Sequence, residues 1–147
     1  MSVIRVQFDT DLWDKLIVYL QNCSWEAAGK HLAEMMKERR FTDWEAVFAA
    51  IEDERIIGFC TFLKTDYYPE NRYSPWISSI FVDEQHRGHR ISHEMIEAAV
   101  QYAREIGFKT VYIPSDMTGF YEKCGFTKID ELKNYAGEFD SIFSKEI

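Results

Sequence analysis

The fold of this chain is decided by the stretch Trp76-Ile77-Ser78-Ser79-Ile80-Phe81-Val82, which leads into Asp83-Glu84-Gln85-His86-Arg87-Gly88-His89-Arg90-Ile91-Ser92. Its first part consists of β-branched, aromatic and small residues, which is the composition of a buried strand. From Ile91 to Ile106 apolar residues recur at helical spacing, and Gly107 is a natural stop signal. The stretch therefore predicts a strand, a basic turn that contains glycine, and a long amphipathic helix.

The turn between this strand and this helix is predicted to bind an anion. The first turn of a helix has backbone N–H groups without intrahelical partners and a partial positive charge, and phosphate is their usual biological ligand. Gly88 lets the backbone approach such a ligand closely. Arg87 and Arg90, with His86 and His89 nearby, add positive charge to an otherwise acidic chain. We expect the turn to hold a phosphorylated molecule.

Two motifs carry a family resemblance. The residues Gln85-His86-Arg87-Gly88-His89-Arg90 resemble the Q/R-x-x-G-x-G/A signature of the GNAT N-acetyltransferases, which also follows a strand. Downstream, Gly119-Phe120-Tyr121-Glu122-Lys123-Cys124-Gly125-Phe126 is similar to the F-Y-E-K-x-G-F segment of that family, at the usual distance. The resemblance spans Val3 to about Phe143. Arg90 departs from it, because the signature ends in a small residue.

The resemblance implies an α/β fold of the acyl-CoA N-acyltransferase type, an α+β mixed sheet of six to seven strands flanked by about four helices. Strands four and five would be splayed to admit the cofactor. The residue patterns predict strands at 3–8, 46–51, 56–64, 76–82, 109–113, 126–132 and 138–144. They predict helices after caps at Asp9 or Thr10 and at Ser24, over 91–106, and from Asp116 or Thr118 to Lys123.

Composition indicates one globular domain over residues 1–147, since 46% of the residues are apolar. A net charge of −8 with one short basic cluster argues against a nucleic-acid surface and is compatible with cationic substrates. Cys23, Cys60 and Cys124 are an odd number at no metal-like spacing, and the chain shows neither a signal peptide nor a membrane-length apolar run. We expect a cytoplasmic protein with reduced thiols and no membrane partner.

Acetyl-CoA is the cosubstrate that the resemblance implies. Its pyrophosphate would lie on the backbone amides of the turn, and its pantetheine arm would pair with the strand edge at Phe81 and Val82. A backbone N–H near residues 80–82 would stabilise the oxyanion. The expected cofactor-binding residues are Phe81, Val82, Arg87, Gly88, His89, Arg90, Ile91, Ser92, Asp116 and Phe120.

Tyr121 is the expected catalytic residue, because the tyrosine of the matching family segment points its hydroxyl group at the CoA sulfur. A phenol keeps its proton at neutral pH, since its unperturbed pKa is about 10, and could pass it to the departing thiolate. The alternative is a core tyrosine that packs beside Phe120 and Phe126.

The base that deprotonates the acceptor is left open. Many GNAT members have a glutamate on the fourth strand, where this chain offers only Ser78 and Ser79. The carboxylates that the fold could bring near are Glu52, Asp66, Glu70 and Asp116. No metal site is expected at His86, His89 and His93, since an anion site already explains these residues.

Two further interpretations also remain open. Arg90 could pair with a phosphate of the cofactor if its dihedral angles are ordinary helical ones, or obstruct the site if the backbone must pack tightly there; the first is favoured. The loop over 65–75, with Tyr67, Tyr68 and Tyr73, could be a substrate lid or a surface loop with buried rings.

The sequence therefore predicts an N-acetyltransferase that transfers the acetyl group of acetyl-CoA to a primary amine of a small molecule or peptide by direct attack in a ternary complex. The alternative is a catalytically weak acyl-CoA-binding module that senses or regulates. A homodimer is compatible with the resemblance, because family members are often dimers.

Overall fold

The computed structural model describes residues 1–115 and 119–147. The strands in this part of the chain are β1 (Ser2–Arg5), β2 (Ala46–Glu52), β3 (Arg55–Leu63), β4 (Trp76–Val82), β5 (Thr110–Ser115), β6 (Thr127–Lys133) and β7 (Phe139–Glu146). The helices are α1 (Asp11–Asn22), α2 (Glu26–Lys37), α3 (Ile91–Ile106) and α4 (Phe120–Lys123), with a 3-10 helix at Glu84–His86. The predicted mixed sheet with four helices is confirmed.

The strands form one sheet in the order β1-β2-β3-β4-β5-β7-β6. β1 pairs with β2, and β7 with both β5 and β6, in antiparallel fashion. β4 and β5 run parallel, with Trp76 opposite Tyr112 near the beginning of each strand. This parallel pair matches the predicted splayed fourth and fifth strands.

The chain divides into two compact units, residues 1–61 with 79–98 and residues 62–78 with 99–147. In the first unit, α1 and α2 cover the strands with apolar residues at helical spacing. The buried members of this core are Val6, Trp13, Leu16, Leu20, Leu32, Ala33, Met36, Val47, Ala49, Phe59 and Phe81.

The second unit has an aromatic core. Tyr68, Trp76, Leu132 and Ile142 are buried together, and Tyr73 and Tyr112 pack against them. Two pairs of rings are stacked. The ring centroids of Tyr68 and Trp76 are 5.5 Å apart, and those of Tyr73 and Tyr112 are 4.9 Å apart. The loop before β4 is therefore tied into this core.

Two of the predicted helix starts differ in outcome. Thr10 caps α1 as predicted, because its Oγ1 accepts the N–H of Trp13 at 3.3 Å. Ser24 does not cap α2: that position is taken by Trp25, which makes no side-chain cap hydrogen bond. The Trp25 ring lies 6.5 Å from that of Phe81, and this tertiary contact overrides the capping preference of serine. Asp116 and Thr118 lie outside the described residues.

Candidate active site

The second half of β4 departs from a regular strand at Ser79, whose φ of 49° is in the left-handed region. A non-glycine residue adopts that region at a cost, and inside a strand it breaks the alternation of side chains and the hydrogen-bond ladder. The neighbouring strand is very close here, since a Cβ atom on Gly58 would lie 2.6 Å from the carbonyl oxygen of Phe81. The shape of β4 therefore depends on the absence of a side chain on β3.

The turn before α3 contains two left-handed residues. Gly88 has a φ of 86°, with open space where a side chain would lie, and Arg90 has a φ of 63°. The expectation of ordinary helical dihedral angles at Arg90 is therefore wrong. The chain must reverse direction just before the helix begins, and a left-handed residue there explains why a small residue suits this position of the signature.

The first turn of α3 contains backbone amides that have no acceptor within the helix. The first intrahelical bond is donated by the N–H of Glu94 to the carbonyl oxygen of Arg90, at 3.1 Å. The N–H groups before Glu94 in this turn therefore lack helical acceptors. The residues 87–90 are exposed, whereas the Ile91 side chain is buried and anchors the helix start.

The Arg87 side chain turns back to the end of β4. Its Nε donates to the carbonyl oxygen of Val82 at 2.9 Å, and its guanidinium lies 5.7 Å from the centre of the Phe81 ring. One acceptor position of the Val82 carbonyl is thus used within the protein. Arg87 joins the turn to the strand as well as adding charge to it.

A pocket lies beside this turn, with a volume of about 260 Å³. Its lining residues are Met1, Glu52, His86, His89, Ile91 and Glu94. Nε2 of His86 is 3.5 Å from Oε2 of Glu52, and Nδ1 of His86 is buried without a partner among the described residues. Glu52, a candidate base, therefore faces a histidine of the turn.

The Tyr121 side chain is buried in α4. Its ring lies 5.1 Å from that of Phe120 and 5.6 Å from that of Phe143. Aromatic packing, the alternative to a catalytic role, is thus present, with Phe143 as a neighbour. The catalytic role of Tyr121 remains a prediction, as do the cofactor contacts of Phe120 and Asp116, of which Asp116 is outside the described part of the chain.

The remaining carboxylates differ sharply in environment. Glu70 is exposed and forms an ion pair with Arg72 at 2.6 Å. Asp66, in the same loop, has a buried oxygen and a hydrogen bond with the Ser78 side chain. Burial raises the pKa of Asp66 above its usual range. Of these two, Asp66 has the environment of a functional acid or base.

The tyrosines of this loop are largely anchored. Tyr68 is buried and donates to Oδ2 of Asp140 at 2.9 Å. Tyr73 donates to Oδ2 of Asp130 at 2.6 Å, and this bond is the main cause that lowers the pKa of Asp130. Tyr67 is 58% exposed. The interpretation as a surface loop with buried rings is thus confirmed for Tyr68, whereas Tyr73 is only half-buried against the same core.

One contact at the end of β4 had no signal in the sequence. The Tyr19 hydroxyl on α1 donates to Oδ1 of Asp83 at 2.6 Å, across 64 positions of the chain. Burial, followed by this hydrogen bond, raises the pKa of Tyr19. The bond ties α1 to the residue that follows β4. The Asp66–Ser78 contact was equally hidden, because no periodicity links a loop carboxylate to a strand serine.

Two kinds of feature are absent from the described part of the chain. In residues 1–115 and 119–147, no group of three or more histidine, cysteine, aspartate or glutamate side chains is arranged to hold a metal ion. Within the same ranges no helix has the length and apolar character required to cross a bilayer.

Comparison with known proteins identifies the family. The model of the acetyltransferase (GNAT) family matches residues 13–126, which is most of this chain. The chain therefore belongs to the GNAT acetyltransferase family.

Individual relatives are more distant. An amino-acid acetyltransferase of Mycobacterium tuberculosis is 30% identical over 66 residues, which are 45% of this chain and 38% of that protein. The chain thus matches well under half the length of this curated relative. Among solved structures, an aminoglycoside 6'-acetyltransferase type Ii has a TM-score of 0.75 with 20% identity, covering 99% of this chain and 97% of that one. An aminoglycoside 6'-N-acetyltransferase complexed with coenzyme A has the same TM-score and coverage with 17% identity. At these identities the two structures show the fold alone.

Proposed function

We propose that this protein transfers the acetyl group of acetyl-CoA to a primary amine of a small molecule or peptide, by direct attack in a ternary complex. The observation that carries the proposal is the exposed basic turn at residues 87–90, which leads directly into the first turn of α3. Family membership supports the reaction class. The amino-acid and aminoglycoside acetyltransferases among the relatives support an amine as acceptor.

The residues of the turn fit the diphosphate of the cosubstrate. Gly88 leaves its backbone uncovered. Arg90 lacks the helical dihedral angles on which phosphate pairing was expected to depend, but its side chain is exposed, so its guanidinium can still pair with a phosphate oxygen. The bound cosubstrate supplies an activated acetyl thioester. The backbone at Phe81 and Val82 would bind its amide groups as an added strand does, and an N–H near the irregular residue Ser79 would stabilise developing negative charge on the carbonyl oxygen.

Tyr121 would supply the proton that the departing sulfur needs. This assignment rests on the matching family segment and on the chemistry of a phenol, which stays protonated at neutral pH. A side chain held by Phe120 and Phe143 has few rotamers, so its hydroxyl group would be held in one direction.

Release of CoA thiol from acetyl-CoA in the presence of a panel of primary amines tests the proposal. We expect turnover with at least one amine. Tyr121→Phe should lower kcat by about 100-fold, the usual contribution of a general acid, with an unchanged Kd for CoA. Tyr135→Phe, at an exposed tyrosine outside the proposed site, is the control. CoA binding without turnover of any amine would refute the enzyme and favour an acyl-CoA-binding module; absence of CoA binding would refute both.

A further inference from the structure

The carboxylate of Asp66 is only partly satisfied by hydrogen bonds. Its Oδ1 accepts the N–H of Tyr67 at 2.6 Å, and the Ser78 side chain is also hydrogen-bonded to the carboxylate. Its Oδ2 is buried and has no partner among the described residues. A buried acceptor without a partner costs about 1–3 kcal/mol, and more when it is charged. The arrangement therefore lowers stability, which is typical of a residue retained for function.

The conformation of the loop does not require this charge. The Asn71 side chain organises the loop by accepting the Asp66 N–H at 2.9 Å and donating to the carbonyl oxygen of Tyr68 at 2.7 Å. Asn71 also donates to the Asp66 carbonyl oxygen at 3.3 Å. The two bonds to Asp66 involve its backbone N–H and carbonyl oxygen and do not involve its carboxylate. The hydrogen bond from the Tyr67 N–H accounts for the position of Oδ1. No contact with the described residues accounts for Oδ2.

The electrostatic surroundings make Asp66 more basic than an ordinary aspartate. Burial is the largest influence and raises its pKa, and the charge of Asp140 on β7 raises it further. The hydrogen bonds from Ser78 and Tyr67 act in the opposite direction. The phenol of Tyr68 interacts with both acids, because it donates to Asp140 and its pKa is raised by the charge of Asp66 as well. The net result is a half-buried side chain, with one carboxylate oxygen fully buried, that has a raised affinity for a proton.

The hydrogen bond with Ser78 places the Asp66 carboxylate next to β4. It precedes the left-handed residue Ser79, and both belong to the strand whose edge would hold the thioester under the proposed function. A serine hydroxyl is not a base at neutral pH, but it can receive a proton while passing its own to a carboxylate. We propose that Asp66, acting through the hydroxyl group of Ser78, accepts the proton that an ammonium acceptor must lose before it attacks. Asp66 is then a positioning residue, since Ser78 is the group that meets the substrate.

The proton and electron balance is complete. The ammonium group gives a proton to Ser78 Oγ as the Ser78 hydroxyl proton passes to Asp66, and the freed lone pair forms the C–N bond with the carbonyl carbon. The C–S bond breaks and sulfur leaves with its electron pair, to be protonated by Tyr121. The second proton that nitrogen sheds restores the Tyr121 phenol. Asp66 returns its proton to solvent, so each turnover releases one proton.

The inference rests on the proposed function and is tested with the 147-residue chain and a panel of ethanolamine, glycinamide, spermidine and kanamycin. Asp66→Asn keeps the shape and Oδ1 of the side chain but removes the base. We expect kcat with the best amine to fall about 100-fold, within the usual range for general-base catalysis. The acidic limb of the pH profile of kcat/KM should disappear. Glu70→Gln, an exposed carboxylate of the same loop, is the matched control and should leave both quantities unchanged.

Hydroxylamine supplies a second control, because it is already neutral at the assay pH. Asp66→Asn should slow its acetylation far less than that of an ammonium substrate. Thermal melting provides a further readout: a raised folded-state pKa means that the ionised carboxylate destabilises the fold at neutral pH. The Tm of Asp66→Asn should therefore equal or exceed that of the wild type while its activity is lost.

The Ser78 variants keep the inference testable if Asp66→Asn fails to fold. Ser78→Ala should lower kcat as Asp66→Asn does, whereas Ser78→Thr keeps the hydroxyl group and should restore most of the activity. The double variant should be no slower than either single one, because the two groups act as a unit. Wild-type kcat and an unmoved acidic limb in Asp66→Asn or Ser78→Ala would overturn the inference alone. Failure of the wild type with every amine would instead refute the proposed function, and this inference with it.

Discussion

Gly58→Ala is the substitution that most directly tests the geometry of β4. The new Cβ atom would lie 2.6 Å from the carbonyl oxygen of Phe81, where ordinary contact begins at 3.4 Å. The atom it meets is backbone, so β4 must move or β3 must distort. Overpacking of this kind costs about 1–3 kcal/mol. For a domain of this size, that corresponds to a fall in Tm of roughly 2–10 °C.

The same substitution should weaken cosubstrate binding. Under the proposed function the pantetheine arm pairs with the backbone that the new methyl group would displace, so a loss of about 1.4 kcal/mol would raise the Kd for CoA about tenfold. Isothermal titration calorimetry measures this Kd, and differential scanning calorimetry measures Tm.

Gly29→Ala on α2 is the matched control. Its Cβ atom would collide with the carbonyl oxygen of Leu20, which belongs to α1 and not to the backbone of β4. It should lower Tm without changing the Kd for CoA. Wild-type Tm and Kd in Gly58→Ala would show that the close approach of the two strands does not determine the shape of the site.

Two further predictions concern the turn and the loop before β4. Arg90→Gly should raise Tm by about 1–4 °C, because glycine adopts the left-handed conformation without strain. It should also raise the Kd for CoA at least tenfold at low salt, since a charged hydrogen bond is worth about 1.5–3 kcal/mol; an unchanged Kd would mean that Arg90 meets no phosphate. Tyr73→Phe should bring the pKa of Asp130 back up toward 3.8, as carboxyl NMR titration can measure. A depressed folded-state pKa stabilises the protein above the unfolded-state pKa, and this stabilisation is lost as pH falls through the folded-state pKa. The Tm gap between wild type and Tyr73→Phe should therefore narrow in acid, and a gap independent of pH would contradict the assigned bond.

Local patterns were enough to predict most of the architecture. The helix over 91–106 and its stop at Gly107 follow from periodicity and from a glycine with a φ of 102°. The strands were found to within a few residues, with the first one shorter than predicted because Phe8 packs on Trp13 instead of extending the sheet. These features depend on hydrogen bonds and side-chain spacing within a short segment.

The candidate site was predictable only in its local parts. The turn that ends at Arg90 could be located from the sequence because a glycine, two arginines and a helix start are neighbours in the chain. The dihedral angles at Arg90, by contrast, depend on how the strand end and α3 are held, so the expected helical conformation was wrong.

The choice among candidate bases was also beyond the sequence. Glu52, Glu70 and Asp66 are all carboxylates that the sequence does not distinguish. In the structure Glu52 contacts His86, Glu70 pairs with Arg72 in solvent, and the half-buried Asp66 is hydrogen-bonded to Ser78. The affinity of a carboxylate for protons depends on the atoms around it, and those atoms come from distant parts of the chain. Sequence thus specifies which chemical groups are present, whereas burial and long-range contacts specify what each group can do.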